Sequence, residues 1–392
     1  MQEQQFLPVN WTDGMKVNKM HFIAQDNAFK YQLAQNTASV LNDYNYGLLP
    51  SIGISSRSVK IFLSVDNQQQ VQLRVLQCQA ITRGGNYMQI EEDTNSREHT
   101  LSAPILHLSV PFQELKGKDS SYFIVIAVNP FVRNPVGNTD PGEQPPRLPF
   151  SMPAYELSLV PAENGGKNLI GLFHLPVGKL NVDEQRVSLD EDYIPPCSSI
   201  SSHYELQEVH AGLEQFIGKM ELYSLQIIQK ILQKKQVNEM AAIVQKLCEH
   251  VTLFTASHQA EIKTLSFHQP PVFLINKVSS IARLFKNTLD YYIGSGKEEF
   301  LNYCIEWCGV TQGEVEGSIT SLSNHQYNHL DVNAGIEKVA SFTKIISGLF
   351  ANLARLEYIG KRKDPGIFVN EKNINKAEPE QPGKKRGSFL AD

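Results

Sequence analysis

The feature that most constrains the fold is a change in the spacing of apolar residues near residue 200. Before it, short β-branched and aromatic runs recur between turn signals, which is typical of the strands of an all-β domain. After it, apolar residues recur every three or four positions, which is typical of amphipathic helices. The chain is therefore predicted to be an α+β multidomain protein, with an N-terminal antiparallel β-sandwich followed by an antiparallel helical bundle.

Several apolar runs predict the strands of the first part. In Val71–Val75 the apolar residues alternate with polar ones, as in a strand with one buried face. Gly84-Gly85-Asn86 supplies residues that tolerate positive φ in a tight turn. An early exception is Lys19–Val40, whose apolar residues Phe22, Phe29, Leu33 and Val40 are spaced at helical intervals and predict an opening helix. The other predicted strands are Val59–Val65, Ile105–Val110, Tyr122–Val128, Tyr155–Val160 and Leu169–Leu175.

A proline-rich stretch interrupts the strand pattern between Asn134 and Pro153. Proline has no N–H to donate to a sheet and breaks helices, so this density argues against a helix or an inner strand. We expect a long exposed loop or a linker between the two sheets.

The first helical segment has a heptad spacing, with apolar residues stepping alternately by three and four. Such a helix packs along a narrow stripe. Further helices are predicted around Met240–Phe254, Leu274–Tyr292 and Ile336–Leu356, with Glu298–Cys308 continuing or following the second of these and Gly360 as a C-terminal stop. The stripe consists of Leu206, Val209, Leu213, Phe216, Met220, Tyr223 and Ile227.

These patterns divide the chain into three parts. Residues 1–201 form the predicted β-rich domain with its short N-terminal helix, and residues 202–360 form the predicted helical bundle. Residues 361–392 are polar and contain proline, and we expect a disordered C-terminal tail.

The charge and cysteine content limit which partners and which cellular compartment are expected for this protein. The 36 Lys and Arg residues are outnumbered by 41 Asp and Glu residues, so the net charge of -5 gives no overall attraction to nucleic acid. The first twenty residues do not resemble a secretory signal. Five cysteines spread over 392 residues are typical of reduced thiols. We expect a cytoplasmic protein that does not bind nucleic acid.

The sequence contains two weak matches to known metal-binding or phosphate-binding patterns. Cys304 and Cys308, followed by His325 and His329, follow the order of a two-Cys two-His zinc site, but the interval between the pairs is too long. Cysteines in a predicted helix are more often small apolar core residues. Gly294-Ser295-Gly296-Lys297 lacks the first glycine and the Ser or Thr of a phosphate-binding loop. We predict no enzyme activity, no metal and no cofactor.

Two segments resemble the TssK family, the trimeric baseplate subunits of type VI secretion systems. Trp11-Thr12-Asp13-Gly14-Met15, followed by His21-Phe22 and Gln25-Asp26, is similar to the start of that family. Ser188–Cys197, with its Tyr193-Ile194-Pro195-Pro196-Cys197 ending, is similar to the junction between the family's β-rich shoulder and its helical neck. Both segments occur in the expected order.

The resemblance implies roles for individual residues. Trp11, Met15, His21 and Phe22 become candidates for partner binding, although they could equally pin the N-terminus to the sandwich. Tyr193, Pro195 and Pro196 mark the domain junction, where two prolines enforce an extended connection. The candidates for a trimer seam are taken from the first helical stripe, unless that stripe faces only its own bundle: Leu206, Val209, Leu213, Phe216 and Met220.

The resemblance also implies a function. The chain would be a structural, non-enzymatic baseplate adaptor that forms a homotrimer and binds the wedge proteins TssF and TssG, at the cytoplasmic face of the inner membrane. The family's C-terminal head, which reaches the membrane complex, is not expected in the short stretch after Gly360. Contact with membrane-complex proteins would then use the bundle tip or the tail.

Two other functions stay open on the sequence. The first is a carbohydrate- or receptor-binding β-sandwich on a trimeric helical stalk, as in the phage receptor-binding proteins that the family's shoulder resembles. The second is a hydrolase whose site is assembled from dispersed residues, which would require a deep pocket with perturbed titratable groups.

Overall fold

The computed structural model describes residues 6–51, 57–91, 106–139, 142–163, 170–308 and 311–360. The chain divides into two compact units. The first contains the residues up to Gln207 together with Ser266–Phe273 and Tyr327–Ala334, and the second contains Glu208–Leu265, Leu274–Gln326 and the residues from Gly335 onward. The first unit thus includes two short segments from beyond the predicted boundary at residue 201. The predicted tail, 361–392, lies outside the described residues.

The first unit contains two antiparallel sheets. In the first sheet the long strand β3 is central: β1 and β2 pair with one of its edges, and β4 and β5 with the other. The second sheet has the order β7-β6-β8-β9. The strands are β1 (Gly47–Leu48), β2 (Val59–Val65), β3 (Gln70–Ile81), β4 (Tyr87–Glu91), β5 (Leu106–Pro111), β6 (Ser121–Val136), β7 (Phe150–Pro161), β8 (His174–Val182) and β9 (Val187–Leu189).

The alternation of apolar residues explains how the two sheets pack. Val71, Leu73 and Val75 of β3 are buried, while the residues between them are partly exposed. On the facing sheet, Gly178 of β8 lies so close to Ile61 of β2 that an added Cβ would sit 2.7 Å from the isoleucine Cδ1. The prediction of two antiparallel sheets is confirmed.

The loop within the proline-rich stretch is shorter than predicted. β6 continues to Val136 and β7 begins at Phe150, so Pro135 pairs with Ser151 inside the ladder. The reason is that β8 pairs with β6 only as far as Ala127. Beyond that point β6 pairs with a described strand on one side only, and a proline without an N–H is tolerated on the other side.

The long helices follow the predicted spacing closely, with two short additions. The opening helix ends at Ala38, two residues before its predicted end, and α2 and α7 are not among the predicted helices. A capping box formed by Thr311 and Glu314 starts α7. The helices are α1 (Lys19–Ala38), α2 (Phe112–Leu115), α3 (Tyr204–Gln233), α4 (Glu239–Thr264), α5 (Pro271–Asp290), α6 (Lys297–Cys308), α7 (Gln312–Ser323) and α8 (Asn333–Arg355).

The second unit is helical, as predicted, and its chain directions follow from side-chain contacts. α4 and α5 run antiparallel, since Glu261 near the end of α4 pairs with Lys277 near the start of α5 at 2.6 Å. α5 and α8 run in the same direction. Phe285, late in α5, packs edge-on against Phe342 and Phe350 of α8, and Ile275, early in α5, meets the start of α8 at Gly335. α6 and α7 connect the end of α5 to the start of α8.

Candidate functional site

The segment before α1 is folded onto the first turns of that helix. The Trp11 ring lies 6.2 Å from the His21 ring and 6.3 Å from the Phe22 ring. The backbone N–H of Val9 donates to Oε1 of Gln25 at 3.0 Å. The resemblance motif at residues 11–26 therefore forms one local structure.

The four predicted partner-binding residues differ in their surroundings. Trp11 and Phe22 are exposed, whereas Met15 and His21 are partly buried. His21 has a structural contact, because its Nδ1 accepts the backbone N–H of Asn18 at 3.2 Å and completes the capping box of α1. Their role in partner binding stays a prediction, with Trp11 and Phe22 in the more accessible positions.

One face of α1 carries three large apolar side chains that are exposed. Phe22, Phe29 and Leu33 are spaced by seven and four residues and are 63%, 61% and 69% exposed. We call these three residues the α1 stripe. Exposed large apolar side chains grouped on one helix face are typical of an interaction surface.

Other parts of α1 are fixed to the β-sheets. Asp26 forms ion pairs with Lys30 and Arg133, and Nζ of Lys30 donates to the carbonyl oxygen of Pro130 at 3.3 Å. The turn at Gly85 lies against the helix so closely that a Cβ there would be 2.8 Å from the backbone nitrogen of Ala38. The α1 stripe is thus presented on a helix that is already anchored.

The predicted domain junction is a buried part of the first unit. The backbone N–H of Leu48 donates to the carbonyl oxygen of Pro196 at 2.7 Å, and the Ser198 N–H donates to the carbonyl oxygen of Leu48 at 2.9 Å. Tyr193, Pro195 and Pro196 are all buried. The extended conformation that the prolines enforce lets this segment run alongside β1.

A buried polar cluster ties residues 327–330 to the start of the first sheet. Nε2–H of His329 donates to the carbonyl oxygen of Tyr46 at 2.8 Å, and the Tyr327 hydroxyl donates to His329 Nδ1 at 2.8 Å. The Tyr193 hydroxyl donates to the carbonyl oxygen of Leu330 at 3.0 Å. Burial lowers the pKa of His329 to about 4, so the imidazole is neutral. The spacing of residues in the sequence could not predict this cluster, because its partners are up to 283 residues apart.

The predicted trimer-seam residues do not lie on an accessible face of α3. Leu206, Val209, Leu213, Phe216 and Met220 are at most 6% exposed in the single chain. Phe216 and Met220 border a void of only about 10 Å³, together with Val251 and Phe254 of α4 and Ile281 of α5. Another copy of the chain could not reach these side chains, so a seam on α3 would have to use a different face.

A shallow cavity of about 380 Å³ lies in the first unit between β2, β8 and the start of α3. Its lining includes both signs of charge: Lys179 pairs with Asp190 at 3.4 Å, and Glu191 lies nearby. The Arg57 guanidinium lies 5.1 Å from the centre of the Tyr204 ring. The balance of charges gives this cavity no clear preference for anions or cations.

The described part of the chain contains no cluster of three or more His, Cys, Asp or Glu side chains suited to a metal ion. Cys304 is buried, and the side chain of Cys308 lies outside the described residues. Burial raises the pKa of the Cys78 and Cys248 thiols to about 12, which makes them poor nucleophiles. Within the same described ranges, none of the helices is both long and apolar enough to span a membrane.

Comparisons with known proteins give matches to solved structures only. No protein-family model and no curated protein matches the chain. A crystal structure of TssK is 12% identical, with a TM-score of 0.46, and the match covers 87% of this chain and 69% of that one.

Two further TssK structures match in the same way. TssK from the EAEC type VI secretion system in complex with a nanobody is 13% identical, with a TM-score of 0.44 and coverage of 84% and 99%. TssK in a TssK–TssF–TssG baseplate subcomplex is 13% identical, with a TM-score of 0.44 and coverage of 87% and 99%. Similarities at this level do not assign the chain to a family, and its function has to be argued from its own residues.

Proposed function

We propose that this chain is a structural subunit of a contractile type VI secretion baseplate, of the TssK type. It would act as a homotrimer that joins the baseplate wedge to other components. Two sequence segments support this proposal: the motif at residues 11–26 and the junction at residues 188–197. The structural observation that carries it is the α1 stripe, which begins within the first of these motifs.

The partner proposed for the α1 stripe is the wedge formed by TssF and TssG. Phe22 and Phe29 are aromatic, and aromatic side chains that fill a partner's pocket supply a large share of binding energy in protein interfaces. Because Asp26 and Lys30 anchor α1 to the sheets, binding would require little ordering of the helix. Trp11 would extend the contact at one end, while His21 and Met15 would hold the segment in place.

The rest of the proposed role follows from the same resemblance. The assembled protein would lie in the cytoplasm, at the face of the inner membrane. Contact with membrane-complex proteins would use the bundle tip or the tail. No catalytic step, metal or cofactor is part of the proposal.

The test is co-purification of this chain with co-expressed TssF and TssG. We expect Phe22→Ser combined with Phe29→Ser to weaken recovery of the wedge at least about tenfold, since losing two buried aromatic contacts costs several kcal/mol. The matched control is Phe150→Ser, because Phe150 of β7 is also 62% exposed but lies outside the stripe. Equal recovery with both variants would contradict a wedge contact at α1.

A second candidate function is favoured by the cavity beside β2. Its exposed Tyr204 ring and its charged and hydroxyl groups resemble the mixture of aromatic and polar contacts used to bind sugars. The chain would then be a receptor-binding sandwich on a helical stalk. Titration with a panel of oligosaccharides decides this: binding that is lost in Tyr204→Ala supports it, and failure of every sugar to bind excludes it.

A further inference from the structure

The outer face of α3 has a second heptad stripe that is separate from the buried one. Its positions step alternately by four and three residues through six successive intervals. At 1.5 Å per residue the stripe is about 32 Å long. We call it the outer α3 stripe: Ala211, Gln215, Gly218, Leu222, Leu225, Gln229 and Leu232.

The outer α3 stripe is exposed in the single chain. Leu222, Leu225 and Leu232 are 53%, 45% and 60% exposed, and Gly218 is half-buried. The stripe contains no charged residue. A regular, uncharged stripe with leucines on the outside of a helix is typical of a coiled-coil seam that lacks its partner.

The neighbouring helix α4 provides a comparison within the same unit. Its outer face has the same alternation of four and three residues, at Ala242, Lys246, Glu249, Leu253, Ala256, Ala260 and Lys263. Three of those positions are charged, as expected for a face in contact with water. The lack of charge on α3 is therefore not a general property of the helices in this unit.

No contact with another described residue explains the glycine at position 218. Its φ is not in the left-handed region, and an added Cβ would meet nothing within 4 Å. Glycine inside a helix is less favourable than alanine. A second helix packed closely against α3 would explain a residue without a side chain at this seam position.

The charges beside the stripe indicate which partner would fit. With Gln215, Leu222 and Gln229 at a positions, Glu214 occupies a g position and Lys219 occupies the e position five residues later. In parallel, in-register coiled coils, g and the following e′ of the neighbouring helix lie side by side and form ion pairs. Glu214 of one copy would therefore face Lys219 of the next.

We infer that the outer α3 stripe is the surface through which copies of this chain associate, parallel and in register around a common axis. This inference rests on the homotrimer of the proposed function and assigns a surface to it. Leu222, Leu225 and Leu232 would form the apolar layers. Gln215 and Gln229 would form polar layers, and a polar residue at an a position fixes register at some cost in stability.

The experiment is light scattering on the full chain, with Leu222→Glu combined with Leu225→Glu. We expect the mass to fall from three times 44.0 kDa to 44.0 kDa. The thermal unfolding midpoint should change little, because both leucines are exposed in the single chain. The matched control is Leu253→Glu on α4, a leucine that is 68% exposed and lies outside the stripe, which should leave the mass unchanged.

A second pair of variants tests the parallel register. Glu214→Lys should weaken association, because it places the new lysine of one copy beside Lys219 of the next, and adding Lys219→Glu should restore it. An unchanged mass in the leucine variant, or a wild-type chain that is monomeric, overturns the inference. Light scattering measures association between copies, and co-purification with TssF and TssG measures the proposed baseplate role. Failure of the inferred trimer surface and failure of the proposed function therefore give different results.

Discussion

Gly47 lies where both the backbone conformation and the available space require glycine. Its φ of 117° lies in the region that favours glycine, and an added Cβ would lie far inside the van der Waals contact distance to the Pro196 carbonyl oxygen. The neighbouring Leu48 N–H donates to that same oxygen, so the chain cannot move away without losing a hydrogen bond. Gly47 is what allows β1 and the junction segment to approach each other.

We expect Gly47→Ala to destabilise the first unit by more than about 2 kcal/mol, since backbone strain and a steric clash act together. The control is Gly117→Ala, where φ is 74° but an added Cβ meets nothing within 4 Å. That change should cost only the backbone term, about 1 kcal/mol. Urea unfolding of the two variants measures the difference, and equal losses would show that contact with Pro196 does not matter.

His329 predicts a pH dependence of stability. Its pKa is about 4 in the folded chain and 6.5 for an ordinary histidine, because burial disfavours the charged form. The unfolded chain therefore binds more protons between these values, and stability is full above the upper value and falls as the pH drops towards the lower one. The contribution lost between about pH 7.5 and about pH 5 is about 2 kcal/mol.

Replacing the imidazole with a group that does not titrate isolates this effect. His329→Gln should be less stable than the wild type near neutral pH, because the bonds to Tyr46 and Tyr327 are altered. It should, however, lose less stability on acidification. Calorimetry of both proteins over this pH range is the measurement, and parallel curves would contradict a buried neutral His329.

Among the helices and strands, the sequence predicts those in which the spacing of apolar residues is set by burial of one face. Val71, Leu73 and Val75 alternate because β3 has one face in the core, and the helices recur at three and four because each has one buried face. Neither the length of β6 nor the presence of α7 can be predicted in this way. The first depends on an open edge beyond Ala127, and the second depends on a cap at Thr311 and Glu314.

α3 shows the limit of periodicity most clearly, because it has two heptad stripes on different faces. The stripe with the larger apolar residues, around Leu213 and Phe216, is the one that spacing alone favours as a trimer seam. It is buried, because the largest side chains are also those that a bundle core requires. Spacing shows that a face is apolar, but only the packing of α4 and α5 shows which face is already occupied.

The whole molecule has two proposed interaction surfaces with different occupants. The α1 stripe belongs to the first unit and is assigned to the wedge, while the outer α3 stripe belongs to the second unit and is assigned to other copies of the chain. Each can be disrupted by changing exposed residues, so each can be tested without unfolding the protein. A variant of one surface should leave the function of the other intact.

The most direct test of the proposed baseplate role is native mass spectrometry of this chain co-expressed with TssF and TssG. We predict one assembly that contains both wedge proteins and this chain in multiples of three, each copy contributing 44.0 kDa. A wedge complex that forms without this chain, while the chain itself remains at 44.0 kDa, would contradict the proposed role.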